Sequence, residues 1–410
     1  MKNIFRPVRC GGFLFVVFCL FTTTNPLHAQ WVQTNAPYSS RVHSLAVSGT
    51  NLFVGTEAEG VFLSTNNGTS WTAVNNGLTY TNTIVFALAV SGTNIFAGVF
   101  LRGVYLSSNN GTSWTAVNSG LTNTQIYDLV VSGTNLFAGT LGGGVFLSSN
   151  NGTSWTAVNT GLTSTSIYSL AVSGTNIFAG TYPGGVFLST NNGTSWTSAN
   201  TGLTGLYAHA LAVSGTNLYA GTAGGVYLTT NNGTTWTAVS TSYVYDFAFS
   251  GMNLFAGTND GVFLSTNNGT SWTSASTGLP KTRVNVLVVS GPNLIAGTDT
   301  MGVWKRPLSE MVTSVERIST DLPMYFSLGQ NYPNPFNPST TIQFEIPEPT
   351  HVELKVFTSL GREIRALVSE TLTAGTYRTQ WDAIGLPSGV YFCRMWAGKF
   401  MDTRKILLVK

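Results

Sequence analysis

Two aspartates stand out in a chain with few charges. Asp128 and Asp246 each directly follow a tyrosine, Tyr127 and Tyr245, inside apolar segments. A pair of carboxylates brought close together can divide acid and base roles between them. The sequence does not set their separation, and solvated strand ends are the plainer alternative. Three arginines, Arg41, Arg102 and Arg283, fall in variable loops where they can grip an anion, while Arg306 follows the last apolar run. The position equivalent to Tyr127 and Tyr245 in successive repeats reads His43, Phe86, Tyr127, Tyr168, His209, Tyr245 and Asn285. Such a set can form an aromatic platform for a sugar or a peptide, or it can pack between repeats. No His, Cys and acid cluster has metal-ligand spacing, and there is no nucleophile elbow or phosphate loop, so no metal or cofactor is expected.

The elements that carry these residues come from an internal repeat. The phrase LAVSGTN(L/I)FAGT, or a close variant, begins at Leu45, Leu88, Leu129, Leu170, Leu211, Phe247 and Leu287. This spacing lies in the range of propeller blades. Each copy parses into four short strands: IYSLAVS, NIFAGT, GVFLS and SWTAVN. Asn-Gly between apolar runs marks a hairpin, because both residues tolerate positive φ. The seventh copy lacks its fourth strand, and Trp31 to Asn35 repeats the phrase Trp71 to Asn75. The start of the mature chain is therefore expected to complete the last sheet and close a ring with no exposed edge. The fold class expected is all-β: a seven-bladed β-propeller followed by a small Ig-like β-sandwich.

The turn Ser64-Thr65-Asn66-Asn67-Gly68-Thr69-Ser70-Trp71 recurs, ending at Trp114, Trp155, Trp196, Trp236 and Trp272. It resembles the Asp-box of sialidases and related propellers, with Asn66 and its counterparts in place of the Asp. The resemblance implies a structural role for the box and its tryptophans, on the face opposite the ligand site. The loops joining fourth to first and second to third strands share the other face, and these differ between copies. Sialidases also bind a substrate carboxylate with three arginines. No arginine stands in the sialidase-type N-terminal motif here, so a non-catalytic binding propeller for a glycan or protein is preferred over a sialidase-like or other glycoside hydrolase.

Composition sets the rest. Hydrophobic residues make up 43% and charged residues 9% of 410 residues, which excludes disorder. The net charge of +3 equals the contribution of Lys2, Arg6 and Arg9, so the remainder is near neutral and no nucleic-acid partner is expected. Those three residues and the apolar run Phe13 to Phe21 read as a signal peptide over 1–29, with cleavage after Ala29 and no transmembrane segment beyond it. Cys393 reads as a buried thiol. The propeller is expected over 30–308, a linker over 309–322, and a C-terminal domain over 323–410. That domain, from Asn331-Tyr332-Pro333-Asn334-Pro335-Phe336-Asn337-Pro338 to the final KILLVK, resembles the type A sorting domain of type IX secretion. The resemblance implies that the secretion machinery is a partner and that the protein is secreted or attached to the outer-membrane surface.

Overall fold

The computed structural model describes residues 30–36, 41–78, 82–251, 253–308, 311, 315–319, 321–383 and 386–409. The expected leader lies outside them. The repeat region folds into seven four-stranded antiparallel sheets. Their inner strands are Val42–Ser48, Val85–Ser91, Ile126–Ser132, Ile167–Ser173, Ala208–Ser214, Val244–Ser250 and Val284–Ser290. Each inner strand touches the next, and the seventh touches the first, so the sheets are blades around a channel. The second strand of every blade is buried on both faces after its first residue. An unbroken apolar run such as NIFAGT is what burial on both faces requires.

The ring closes through residues 31–34. Val32–Gln33 pairs with Val303–Pro307, with Val32 opposite Lys305 and Gln33 opposite Trp304. Thr34 adds two hydrogen bonds to the Val303 carbonyl, from its backbone N–H at 3.0 Å and its hydroxyl at 2.9 Å. Trp31 is buried, and its indole N–H donates to Ala275 O at 2.7 Å. The seventh blade sits tight against the first: a Cβ on Gly297 would lie 2.4 Å from Val42 Cγ1. Only glycine fits that approach.

The same tryptophan contact links most neighbouring blades. The indoles of Trp114, Trp155, Trp196 and Trp236 donate to Val74, Val117, Val158 and Ala199 carbonyls of the preceding blade, each at 2.7 Å. Trp71 instead donates to Thr34 Oγ1 at 3.2 Å. The backbone N–H groups of Trp114, Trp155, Trp196 and Trp236 also bond to the preceding blade, for example Trp114 N to Asn76 O at 2.8 Å. This cross-blade reach explains why most outer strands are only two residues long, Thr72–Ala73 in the first blade, rather than the full SWTAVN expected. Trp272 is the exception, since its buried indole N–H has no partner. The fifth repeat runs from Val239 straight into Ser-Thr-Ser without the Gly-Leu that follows the outer strand in the first four and the sixth repeats.

The Asn-Gly turns are held by side chains. Asn66 Oδ1 accepts from the Ser70 N–H at 2.9 Å and the Ser64 hydroxyl at 3.0 Å, while Asn66 Nδ2 donates to Ser70 Oγ at 2.9 Å. Asn67 and Gly68 take φ of 54° and 77°, the left-handed pair that Asn-Gly suits.

The C-terminal residues form two further four-stranded sheets. One orders Val315–Ser319, Gly375–Asp382, Ser339–Ile346 and Ser327–Leu328; the other orders Glu363–Leu372, Thr350–Thr358, Gly389–Ala397 and Phe400–Leu408. Phe344, Trp381, Val356, Met395 and Ile406 fill the shared core. The linker expected over 309–322 is corrected here, because Val315–Ser319 pairs with Gly375–Asp382 and already belongs to the sandwich. The Asn-Pro segment runs along the last strand: Phe336 N donates to Leu407 O and Val409 N to Phe336 O, each at 3.0 Å. Cys393 is buried, which pushes its thiol up to about 12.

Replacing Trp31 with alanine removes a buried indole and one blade-to-blade hydrogen bond. The propeller transition should lose about 3–5 kcal/mol in chemical denaturation. A variant as stable as the parent would show that closure does not depend on this strand.

Candidate functional site

The strand pairing in every blade slips at one place. In the first blade Val42 faces Thr56 and Ser44 faces Gly55, leaving His43 as the extra residue of a β-bulge. The same slip isolates Phe86, Tyr127, Tyr168, His209, Tyr245 and Asn285. A bulge re-aims the side chain it carries. Here it places seven equivalent, half-buried side chains at one end of the channel. The second-to-third-strand loops lie at that end too, since Glu57, Phe100, Leu141, Tyr182, Ala223 and Asp299 bond through their N–H groups to residues just before the bulges.

These side chains touch in sequence around the mouth. His43 meets Phe86 at 4.4 Å between ring centres, Phe86 stacks on Tyr127 at 4.7 Å, and Tyr127 meets Tyr168 edge-on at 5.1 Å. The collar continues through Tyr207, 4.8 Å from Tyr168 and 5.1 Å from His209, and through Tyr243, which stacks on His209 at 4.1 Å. Tyr243 meets Tyr245 at 4.9 Å, and the Arg283 guanidinium lies 4.8 Å above the Tyr245 ring. Tyr207 and Tyr243 were not among the residues expected from the sequence. They stand two places before a bulge residue, as Arg41 and Arg283 do, and that shared register is the signal that marks them.

A charged sector completes the circle. Arg41 and Arg283 both bond Asp299, which no sequence argument singled out. Arg41 Nη1 also lies 3.2 Å from Glu57 Oε2. Burial works to raise Asp299, but the hydrogen bonds and charges of the two arginines outweigh it and hold the carboxyl below its ordinary range. Arg283 donates to Asn285 Oδ1 at 2.7 Å, and Asn285 donates to Val42 O at 3.1 Å. Burial, then Arg41 and Arg283, lowers His43 to about 4 against the pull of Asp299, so its imidazole is neutral at neutral pH. Burial also lowers His209, whose Nε2–H donates to Val244 O at 2.6 Å. Arg102 stands apart from this sector, exposed on the loop of the second blade, and Arg306 is buried with Nη1 donating to Ala275 O at 2.9 Å. Trp71, Trp114, Trp155, Trp196, Trp236 and Trp272 lie in the turns joining third to fourth strands, away from the mouth loops.

Asp128 and Asp246 are neither a facing acid/base pair nor solvated strand ends. Each carboxylate spans two blades. Asp128 accepts from Leu129 N at 2.8 Å and from Leu170 N of the next blade at 2.6 Å. Asp246 accepts from Phe247 N and from Leu287 N of the next blade, both at 2.8 Å. Both oxygens of each group are thus committed to backbone donors. Burial among the inner strands raises both groups to about 7, against the backbone hydrogen bonds that lower them; for Asp246, the charge of Asp128 adds to the rise.

Between residues 30 and 308 there are twelve charged side chains. Ten of them, all except Lys305 and Arg306, lie on mouth loops or within the first turns of the inner strands. The mouth loops also expose Leu101, Tyr182, Leu206 and Met301. Among the described residues no three His, Cys, Asp or Glu side chains converge as a metal set, and no helix is long and apolar enough to cross a membrane.

Comparison with known proteins divides the chain in two. Residues 330–410 match the family described as the secretion system C-terminal sorting domain. No curated protein sequence matches. Among solved structures, YCF48 bound to D1 peptide is similar with a TM-score of 0.57 at 12% identity, over 68% of this chain and 96% of that one. PorZ, a surface component of the type-IX secretion system of Porphyromonas gingivalis, gives a TM-score of 0.54 at 14% identity, over 90% of this chain and 59% of that one. The GH74 enzyme of Niastella koreensis gives 0.52 at 18% identity, over 67% and 43%. At these identities the likeness is one of fold, the β-propeller. The sorting domain indicates export by the type IX secretion machinery, to the medium or to the outer-membrane surface.

The buried carboxylates set a pH dependence. An unfolded chain ionises Asp near 3.8, whereas the folded chain holds both protons until about 7. Their contribution to stability is therefore greatest below pH 4 and falls as pH rises to 7. Serine occupies the equivalent place at Ser44 and Ser169. The double variant Asp128→Ser, Asp246→Ser should gain on the parent by about 15 °C in melting temperature between pH 4 and pH 7.5. Parallel curves would show that both groups ionise normally.

Proposed function

We propose that the propeller is a binding module without catalysis, and that its ligand, an extracellular glycan or protein segment, docks at the channel mouth. The observation behind this reading is the confinement of ten of the twelve charged side chains, together with the aromatic collar, to one rim of a body otherwise faced with Ser, Thr and Asn. A scaffold has no need for that segregation. The candidate contacts are His43, Tyr127, Tyr168, His209 and Tyr245 in the collar, with Arg41, Arg102 and Arg283 beside it. We read the Ser-x-Asn-x-Gly turns as Asp-boxes that have lost their charge, and the ring as a seven-bladed member of that group, with the box tryptophans acting as blade locks. We assign the propeller to 30–308 and the exported sorting unit to the C-terminal sandwich.

Hydrolysis is the weaker reading. A glycosidase acid must offer a free oxygen to the leaving group, and both oxygens of Asp128 and Asp246 already bond backbone N–H groups. A sialidase needs arginines free for a substrate carboxylate, and Arg41 and Arg283 are already neutralised by Asp299 and Glu57. The peptide-bound YCF48 supports recognition by this fold, while the Niastella koreensis enzyme keeps turnover as a result to test for.

The full chain should therefore bind on a glycan or peptide array while leaving chromogenic glycosides uncleaved. Tyr127→Ala and Tyr168→Ala should each weaken binding about tenfold, the loss of one aromatic contact. Glycoside turnover that disappears in Asp128→Asn or Asp246→Asn would replace this reading with a hydrolase.

A further inference from the structure

Resting on the mouth as the binding site, we infer that its occupant is a cation, the lysine side chain of an extended peptide, held by the aromatic collar beside the two carboxylates that bridge its inner strands. Three observations lead there. The collar is built of neutral π systems. Burial raises the phenols of Tyr127, Tyr207 and Tyr243, so the rings carry no phenolate charge and present only their negative faces and hydroxyl dipoles. Such a ring of Tyr and Phe attracts ammonium groups. The molecule already uses it so once, with Arg283 seated over Tyr245 at 4.8 Å.

The second observation is the sign of the charge around the collar. In the charged sector Arg41 and Arg283 are matched by Glu57 and Asp299, and Lys281 is matched by Asp260 at 3.0 Å. Asp128 and Asp246 follow collar tyrosines directly and bond only backbone N–H groups. With the sector matched, these two, ionised above about pH 7, supply an excess of negative charge next to the collar. Their oxygens are engaged, so they act on a ligand through their field rather than by direct ligation. An ammonium beside them is favoured, and a carboxylate or sulfate is opposed.

The third observation selects a peptide over a small ammonium. Leu101, Tyr182, Leu206 and Met301 expose large apolar surfaces on loops of four different blades around the mouth, at 54%, 53%, 44% and 38%. A free cation leaves them uncovered. A peptide that drops one lysine into the collar lays its flanking residues across them.

The test uses the full chain carrying fluorotyrosine, read by fluorine NMR at pH 8, where both carboxylates are ionised. The probes are acetyl-Gly-Lys-Gly-amide, its norleucine analogue, which keeps the chain and loses the charge, and a glutamate analogue. The lysine peptide should move the collar tyrosine signals and bind at least about tenfold more tightly than the norleucine peptide. That preference should vanish in Asp128→Ser, Asp246→Ser, whose unperturbed tyrosine spectrum would report an intact collar. Equal binding of lysine and norleucine peptides, or preference for glutamate, overturns the inference while leaving the mouth as a binding site. No movement of collar signals by any of the three peptides overturns it as well. In that case Tyr127→Ala on the arrays decides the wider reading: array binding weakened by that change keeps the mouth, and array binding unaffected by it removes the mouth too.

Discussion

The rim exists because the seventh blade borrows its outer strand from residues that precede the first blade. Without Val32–Gln33 beside Val303–Pro307, the last sheet would end in an unpaired edge and the Trp31 indole would leave Ala275 O. The inner strands of the seventh and first blades would then lose the strand that fixes their neighbour. The charged sector lies across this same seam. Arg41 comes from the first blade, Arg283 and Asp299 from the seventh, and Asn285 bonds the Val42 carbonyl across the gap. Closure and the polar part of the mouth are one piece of architecture.

The other blade junctions hold by repetition of a few contacts. An aromatic or aliphatic residue of the second strand fills the space between sheets: Phe53, Phe96, Phe137, Phe178, Tyr219, Phe255 and Ile295 are all essentially inaccessible. The tryptophan of the following repeat then locks onto the outer strand. Between the fifth and sixth blades the lock is missing: the Trp272 N–H is unpaired, although Val239 stands where Val74 and its counterparts accept. The shortened segment after Val239 carries Tyr243, stacked flat on His209. The junction with the weakest outer lock therefore has an aromatic stack at its inner end.

Much of this could be read in the sequence. The repeat, the split last copy and the equivalent position that reads His43, Phe86, Tyr127, Tyr168, His209, Tyr245 and Asn285 were visible because each recurs, and recurrence fixes register. Residues that occur once were harder to place. Asp128 and Asp246 looked like free acids, since a carboxylate bonding backbone N–H groups on the neighbouring blade has no local signature. Asp299 and Glu57 lay in loops of variable length and gave no hint that they would meet Arg41. Tyr207 and Tyr243 were legible only by their register, two places before a bulge, and a bulge itself is a property of pairing rather than of composition. Val315–Ser319 falls inside the linker expected from composition because its partner strand, Gly375–Asp382, lies some sixty residues further on.

The central claim is that recognition belongs to the rim and scaffolding to the repeated turns. Hydrogen exchange of the full chain, with and without the tightest binder found on the arrays, separates the two faces. Protection is expected at the starts of the inner strands, around residues 41–45, 125–129 and 243–247, and in the second-to-third-strand loops. Protection confined to the Asn-Gly turns, such as 66–70 and 109–113, would contradict it.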